Sequence, residues 1–202
     1  MSLWLAADPL VLASKSAARR ALLEAAGVPV AVRPADLDER ALEPGAAAAG
    51  AGAVAAHLAR EKAAHVARQN PGRLVLGADQ TLALGAKLFA KPADRVAARD
   101  QLGVLSGRTH ELHAAIAFVE DTRVVFEHLG VARLTMRRLS DRFLDLYLEA
   151  AGGAATASVG GYQIEALGIE LFERIEGDYF TILGLPLLAV LDFLRQRGCL
   201  AQ

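Results

Sequence analysis

Leu74-Val75-Leu76-Gly77-Ala78-Asp79-Gln80-Thr81 is an apolar run that delivers a carboxylate and an amide at its end. The run reads as a buried strand, and open α/β sheets place their chemistry at the carboxyl ends of such strands. Upstream, Arg60-Glu61-Lys62 belongs to an alanine-rich helix. Downstream, Lys91-Pro92 follows a glycine turn at Gly85. Acid and base thus converge on one expected site, with Asp79 as the first candidate for the working residue.

Working outward from this strand gives alternating elements. Leu10 to Ala13 is a short apolar strand, and Ser14-Lys15-Ser16 ends it and caps a helix reaching Ala26, which Gly27 stops. Val30 to Val32 is extended, so the opening is strand, helix, strand. Asp36 to Arg40 is an acidic loop, and the Ala/Gly tract Gly45 to Ala53 reads as a flexible approach to a helix over Val54 to Arg68. Asn70-Pro71-Gly72 breaks that helix and hands over to the strand leading into Asp79, after which a second strand covers Thr81 to Leu84.

Gly85 to Lys87 turns the chain, and Phe89 to Pro92 crosses toward the site. Asp94 caps a helix through Leu102. His113 to Val119 and Arg123 to Thr135, separated by Glu120-Asp121-Thr122, form an antiparallel hairpin, which makes the sheet mixed. Ser140 caps a helix through Leu148, residues 150–161 form a loop, and Ile169 to Ile175 alternates as a strand does. Gly184-Leu185-Pro186 opens a last helix over Leu187 to Arg197. The expected class is α/β, a mixed twisted sheet with flanking helices, in a single domain over residues 1–202.

Composition narrows the function. With 202 residues, 53% of them hydrophobic, the chain buries a sizeable core without disulfides or metal. A formal charge of -1 gives no basis for adhesion to nucleic acid or an acidic membrane, so an anionic ligand must be met locally. Cys199 is the single cysteine, which excludes an internal disulfide and fits a reducing cytoplasm. No signal-like N-terminus and no membrane-length apolar run is found, so a soluble cytoplasmic protein is expected.

The candidate chemistry is acid, base and anion binding. Asp79 can deprotonate a water or ligate a divalent ion; Gly-Ala-Asp alone is more often a turn or a helix cap, and the neighbouring charges are what lift the functional reading. Glu39 offers a second carboxylate, and two such groups with waters suit magnesium. Lys62 and Lys91 can each meet a phosphate oxygen, and Arg19 can do so bidentately. Ser14, Lys15 and Ser16 resemble an anion cradle at a helix start, without the Walker A pattern. His57, His65, His110, His113 and His128 show no zinc spacing and read as surface or strand-end residues. No Gly-x-Ser-x-Gly elbow points to a serine nucleophile.

Taken together, Leu12 to Leu23, Gly77-Ala78-Asp79-Gln80, Lys91-Pro92, Leu105-Ser106-Gly107-Arg108-Thr109-His110 and Gly184-Leu185-Pro186 resemble the Maf family of nucleoside triphosphate pyrophosphatases. Their order and spacing hold over about 175 residues. The resemblance implies a two-lobed fold related to the inosine triphosphatases, with a central cleft. It implies hydrolysis of a nucleoside triphosphate at the α-phosphorus to a nucleoside monophosphate and diphosphate, assisted by a divalent cation, Mg²⁺ or Mn²⁺. It further implies Asp79 as proton acceptor, Ser14, Arg19, Glu39, Lys62 and Lys91 as phosphate or metal residues, and assembly as a homodimer.

Three positions in the family set the base, and here they are Ala18, Gln80 and Glu165. Gln80 and Glu165 resemble the branch assigned to 7-methyl-GTP, as does Leu171 to Gly177, whereas the pyrimidine branch resembles Arg, Thr and Gln. Glu165 can accept from a guanine's N1-H and exocyclic amine. Ala18 departs from both branches, since the first carries a tryptophan able to stack on a cationic purine. Ala17 and Ala166 replace a usual proline and glycine. A pyrimidine triphosphate pyrophosphatase, or a nucleotide-binding regulator of cell division with little hydrolysis, are the alternatives.

Overall fold

Strands β1 (Leu10–Leu12) and β3 (Leu74–Leu84) lie side by side in parallel, with Val11 opposite Val75 and Leu12 opposite Leu76. This computed structural model describes residues 2–39, 41–42 and 48–202. β2 (Val30–Val32) pairs with β1, also in parallel. The connecting helix α1 (Ala17–Ala25) is capped by the Ser16 side chain, which accepts from the Arg19 amide. The strand-helix-strand opening is as expected, and two parallel neighbours pair both edges of β1, whose residues are all buried.

The sheet is mixed and seven-stranded, in the order β2-β1-β3-β5-β6-β7, with β4 paired to β3 off that path. β5 (Thr109–Glu120) and β6 (Arg123–Met136) turn at Asp121, whose φ of 54° is left-handed. β7 (Phe172–Glu176) runs antiparallel to β6. The chain divides into two compact units: Met1–Gln80, His113–Gly130 and Asp178–Gln202 form the first, and Thr81–Leu112 with Val131–Gly177 the second.

Alternation along the strands gives the first unit its two apolar layers. Leu10, Leu12, Leu76 and Ala78 face one layer, packed with Leu23 of α1 and with Leu187, Val190 and Phe193 of the C-terminal helix α7 (Leu187–Gln196). Val11, Ala13 and Val75 face the other, against Ala55, Ala59 and Ala63 of helix α2 (Ala51–Ala67). Alanines let α2 lie close to the sheet. At Gly77, on the same face as Val75, a Cβ would stand 2.1 Å from the Ala59 carbonyl oxygen and 2.8 Å from the Ala63 nitrogen. Only glycine permits that approach.

Several expected boundaries are corrected. Asp79 is not at a strand end: residues 74–84 form one strand of 11 residues, in place of two. The expected end does exist in the pairing. The parallel register with β1 stops at Leu76, and β3 pairs antiparallel with β4 (Lys87–Phe89) from Leu82 onward. Asp79 lies between these two ladders. The Ala/Gly tract, read as flexible through Ala53, already enters α2 at Ala51, while residues 43–47 and Arg40 lie outside the described residues.

The second unit holds helix α3 (Arg95–Leu105), capped by Asp94, and α4 (Asp141–Ala151), capped by Ser140. Residues 150–161, expected as a loop, contain the short helix α5 (Ala154–Ala157) and a 3-10 turn at Val159–Gly161. Leu167–Leu171 is 3-10, so the alternating run becomes a strand only at Phe172. A short helix α6 (Tyr179–Ile182), of the first unit, precedes the Gly184-Leu185-Pro186 turn and had no signal in the sequence periodicity.

Candidate active site

Strand alternation separates Asp79 from its neighbour Gln80. Asp79 follows Val75 and Gly77 on the α2 face, whereas Gln80 follows Leu76 and Ala78 on the opposite one. Asp79 is buried, at 7% exposure, and so is Lys62 of α2, at 8%. The close approach at Gly77 brings the Lys62 Nζ to 2.6 Å from Asp79 Oδ1. The same ammonium lies 2.8 Å from Glu39 Oε2, whose side chain is 46% exposed. Lys62 is therefore neither an exposed helical charge nor a free phosphate ligand: it bridges two carboxylates.

Burial is the largest influence on Asp79 and pushes its carboxyl above the ordinary carboxylate range. Lys62 and Arg19 pull it back down, and Glu39 adds to the rise. A carboxylate raised in this way accepts a proton more readily than a solvated aspartate does. That is the property a general base needs at neutral pH.

Arg19 is on the other face. Its Nε donates to the Gly184 carbonyl at 2.8 Å, and its Nη1 donates to the Ala78 carbonyl at 2.7 Å and to Ser14 Oγ at 3.2 Å. Burial lowers its pKa, against the pull of Asp79 and Glu39. The expected bidentate fork on phosphate is corrected by this geometry: with Nε and Nη1 engaged in main chain and serine, Nη2 alone is left to a ligand. Ser14 is buried, and its Oγ accepts from the Ser16 amide as well as from Arg19. Its hydroxyl proton is left to donate to an anion. Ala18 is exposed on α1.

Gln80 donates through Nε2 to the carbonyls of Thr181 and Ile182, both at 3.0 Å. Two carbonyl partners fix the amide's orientation, since only its nitrogen donates. Reading side chains in sequence missed these partners, because they are main-chain oxygens of residues about a hundred positions away.

Lys91 and Glu165 belong to the second unit, where both are exposed. Glu165 follows a tightly built turn. Tyr147 Oη donates to the Gly161 carbonyl, Ser158 Oγ donates to the Tyr162 carbonyl, and the Gly168 amide donates to the Gln163 carbonyl. Tyr162 Oη lies 2.7 Å from His110 Nε2. His110 is a strand-end residue as expected, second in β5, but it is fully buried, which corrects its reading as a surface histidine, and burial lowers its pKa to about 4.

Two carboxylates of the site suit a hard divalent cation. Asp79 and Glu39 each present one oxygen to Lys62, which leaves Asp79 Oδ2 and Glu39 Oε1 as donors. Among the described residues no group of three or more His, Cys, Asp or Glu side chains could hold a metal. Two carboxylate oxygens are a donor set that magnesium accepts, since it keeps waters and takes phosphate oxygens.

A buried carboxylate held by a buried lysine on a mixed α/β sheet, with a buried serine bonded to an arginine nearby, is the acid–base constellation of a candidate active site. Residues 9–197 match the family described as Maf-like protein, and the chain belongs to that family. It is 57% identical over 201 residues, all of both chains, to a protein of Rhodopseudomonas palustris (strain HaA2) named nucleoside triphosphate pyrophosphatase. A relative in Nitrobacter winogradskyi bears the same name at 53% identity over 201 residues, again across the whole of both chains. A protein of Mesorhizobium japonicum named 7-methyl-GTP pyrophosphatase is 51% identical over 195 residues, 96% of this chain and 98% of its own. Among solved structures, a HAM1 protein from Coxiella burnetii matches at a TM-score of 0.45 and 20% identity, over 65% of this chain and 74% of that one.

Proposed function

We propose that this protein is a nucleoside triphosphate pyrophosphatase: it hydrolyses its substrate at the α-phosphorus to a nucleoside monophosphate and diphosphate. The observation that carries the reading is the buried Asp79 carboxylate, raised in basicity and held at 2.6 Å by Lys62. Relatives more than half identical along their whole length bear that name.

Asp79 takes the proton of the attacking water as the oxygen bonds to phosphorus and the α-β bridging bond breaks. Lys62 holds Asp79 in place and keeps it ionised until then. Arg19 Nη2 and the Ser14 hydroxyl are the phosphate contacts, and they offset charge building on the leaving diphosphate; Lys91 is given a phosphate role on the family resemblance alone. A divalent cation, Mg²⁺ or Mn²⁺, held by Asp79 and Glu39, would supply charge neutralisation of the phosphates. No covalent intermediate is needed.

Gln80 and Glu165 favour a guanine nucleotide of the 7-methyl-GTP kind, in keeping with the name of the Mesorhizobium japonicum relative. House-cleaning of modified nucleotides is the corresponding role, in the cytoplasm and as a homodimer. No helix among the described residues is long and apolar enough to cross a membrane. The test is diphosphate release from a panel of nucleoside triphosphates, including 7-methyl-GTP, GTP, UTP and dTTP, by wild type and Asp79→Asn. Turnover that survives unchanged in Asp79→Asn refutes the base assignment, and a pyrimidine at the head of the ranking refutes the guanine preference.

A further inference from the structure

Arg19 and Gln80 are held by one short piece of main chain. The carbonyls of Thr181 and Ile182 receive the Gln80 amide, and the Gly184 carbonyl receives Arg19 Nε. This piece is itself fixed by Asp178. Its Oδ2 accepts from the Thr181 amide at 2.8 Å and from the Thr181 hydroxyl at 3.1 Å, capping α6. Thr181 is 3% exposed and lies so near Gly130 that a Cβ there would stand 2.6 Å from Thr181 Oγ1. Gly184 then reverses the chain at a φ of 86°. A Cβ on Gly184 would lie 3.4 Å from Arg19 Nη2 and 3.5 Å from Gln80 Oε1, ordinary contact distances, so both side chains lie against the turn and the positive φ is what calls for glycine.

We propose that Asp178 is a positioning residue for the site: by capping the turn at Thr181 it fixes the carbonyls that hold Gln80 and Arg19, and so sets which atoms these two offer a ligand. Gln80 has spent its nitrogen on main chain and presents Oε1 alone. The group it meets is accordingly a hydrogen-bond donor, an N–H of the base or a hydroxyl of the sugar. Arg19 likewise presents Nη2 alone. Asp178 touches neither Arg19 nor Gln80 directly and acts through the turn. The inference rests on the reading that Gln80 meets the nucleotide, so its test must separate the two.

The experiment measures kcat and KM for the nucleotide panel by diphosphate release, with thermal melting, in Asp178→Ala, Asp178→Asn, Thr181→Val and Gln80→Met. Losing a cap is worth about a fivefold change in an equilibrium constant. Asp178→Ala should therefore raise KM by at least about fivefold and compress the ranking of nucleotides, with kcat changing less. Asparagine keeps an acceptor oxygen and should restore both. Thr181→Val removes only the hydroxyl bond and should shift KM in the same direction by less, which keeps the test in hand if the alanine variant does not fold. If Gln80→Met changes the ranking while folded Asp178→Ala or Thr181→Val leaves KM and ranking as in wild type, the positioning role is overturned and the reading of Gln80 stands. If Gln80→Met leaves the ranking unchanged, the reading of Gln80 falls, and the inference with it.

Discussion

Gly77→Ala tests the packing that builds the site. The added methyl would sit 2.1 Å from the Ala59 carbonyl oxygen, 2.8 Å from the Ala63 nitrogen and 2.9 Å from the Ala63 Cβ. Two of these three neighbours are helix backbone, which has no rotamer to change, so α2 must move off the sheet by about 1 Å to reach ordinary contact. Overpacking of this kind costs about 1–3 kcal/mol, and a rigid neighbour places the change at the upper end. For a chain of 202 residues about 3 kcal/mol corresponds to a fall in Tm of about 6–12 °C. Lys62 moves with α2, so its 2.6 Å contact to Asp79, two residues beyond the new methyl, opens past hydrogen-bond length. A misplacement near 1 Å costs about a hundredfold in rate, which sets the expected loss in kcat. The matched control is Gly103→Ala, inside α3, where a Cβ meets nothing within 4 Å. That substitution should stabilise by up to about 1 kcal/mol, as alanine does in a helix. Calorimetry and diphosphate release read both variants. A Gly77→Ala protein that melts and turns over like wild type refutes the packing argument. One that melts early but keeps full kcat shows that the Lys62 to Asp79 geometry is not what activity requires.

Asp79→Asn should lower kcat by about a hundredfold or more, the usual worth of a general base. Burial raises the Asp79 carboxyl above the ordinary carboxylate range. The folded pKa is above the unfolded one, so ionising Asp79 costs stability in the metal-free protein as pH rises between the two values. Asp79→Asn should flatten that part of the metal-free stability profile, and an unaltered slope would count against it. For His110 the sign is opposite. Its folded pKa is about 4 against 6.5 unfolded, so stability falls as pH drops from 6.5 to 4, by on the order of 3 kcal/mol. Chemical unfolding over that window should lose stability toward acid more steeply in wild type than in His110→Asn, and equal slopes would contradict the burial argument. Chelation by EDTA should abolish diphosphate release, and added Mg²⁺ or Mn²⁺ should restore it; full activity without a divalent cation would remove the metal from the reaction.

Much of this architecture is legible in the sequence because apolar periodicity and capping residues are local signals. Ser16, Asp94 and Ser140 cap the helices they were expected to cap. Elsewhere two local signals compete, and tertiary pairing decides. Thr81 to Leu84 reads as a separate strand because Asp79-Gln80 interrupts the apolar run, yet β4 pairs with residues 82–84 and keeps the strand continuous. Ile169 to Leu171 alternates like β7 but is wound as 3-10, with the 3-10 turn beginning at Leu167 and strand pairing starting only at Phe172. The charged members of the site were visible as residue types. Their constraints were not, because main-chain carbonyls of Ala78, Thr181, Ile182 and Gly184 carry no sequence signature. Gly77 was the available clue: a glycine inside an otherwise bulky strand signals close approach of another backbone.

The same strand explains why adjacent residues can carry different duties. A period of two forces Asp79 and Gln80 onto opposite faces, so each is governed by a different helix layer. Asp79 answers to α2, through Gly77 and Lys62, and its environment is apolar and charged. Gln80 answers to the last turn of α6, through the Thr181 and Ile182 carbonyls, while the Gly184 carbonyl just beyond holds Arg19, and the environment of Gln80 is neutral and directional. Burial tunes a proton affinity, whereas fixed carbonyls orient an amide. A substitution in α2 should therefore act first on the pH profile and kcat, and one in the 178–184 segment on KM and the order of nucleotides. Double variants drawn from the two layers should be near additive in ΔΔG‡, because the groups they perturb share no hydrogen-bond partner. Strong coupling between them would mean that Arg19, whose charge reaches Asp79 across the strand, joins the two layers into one device.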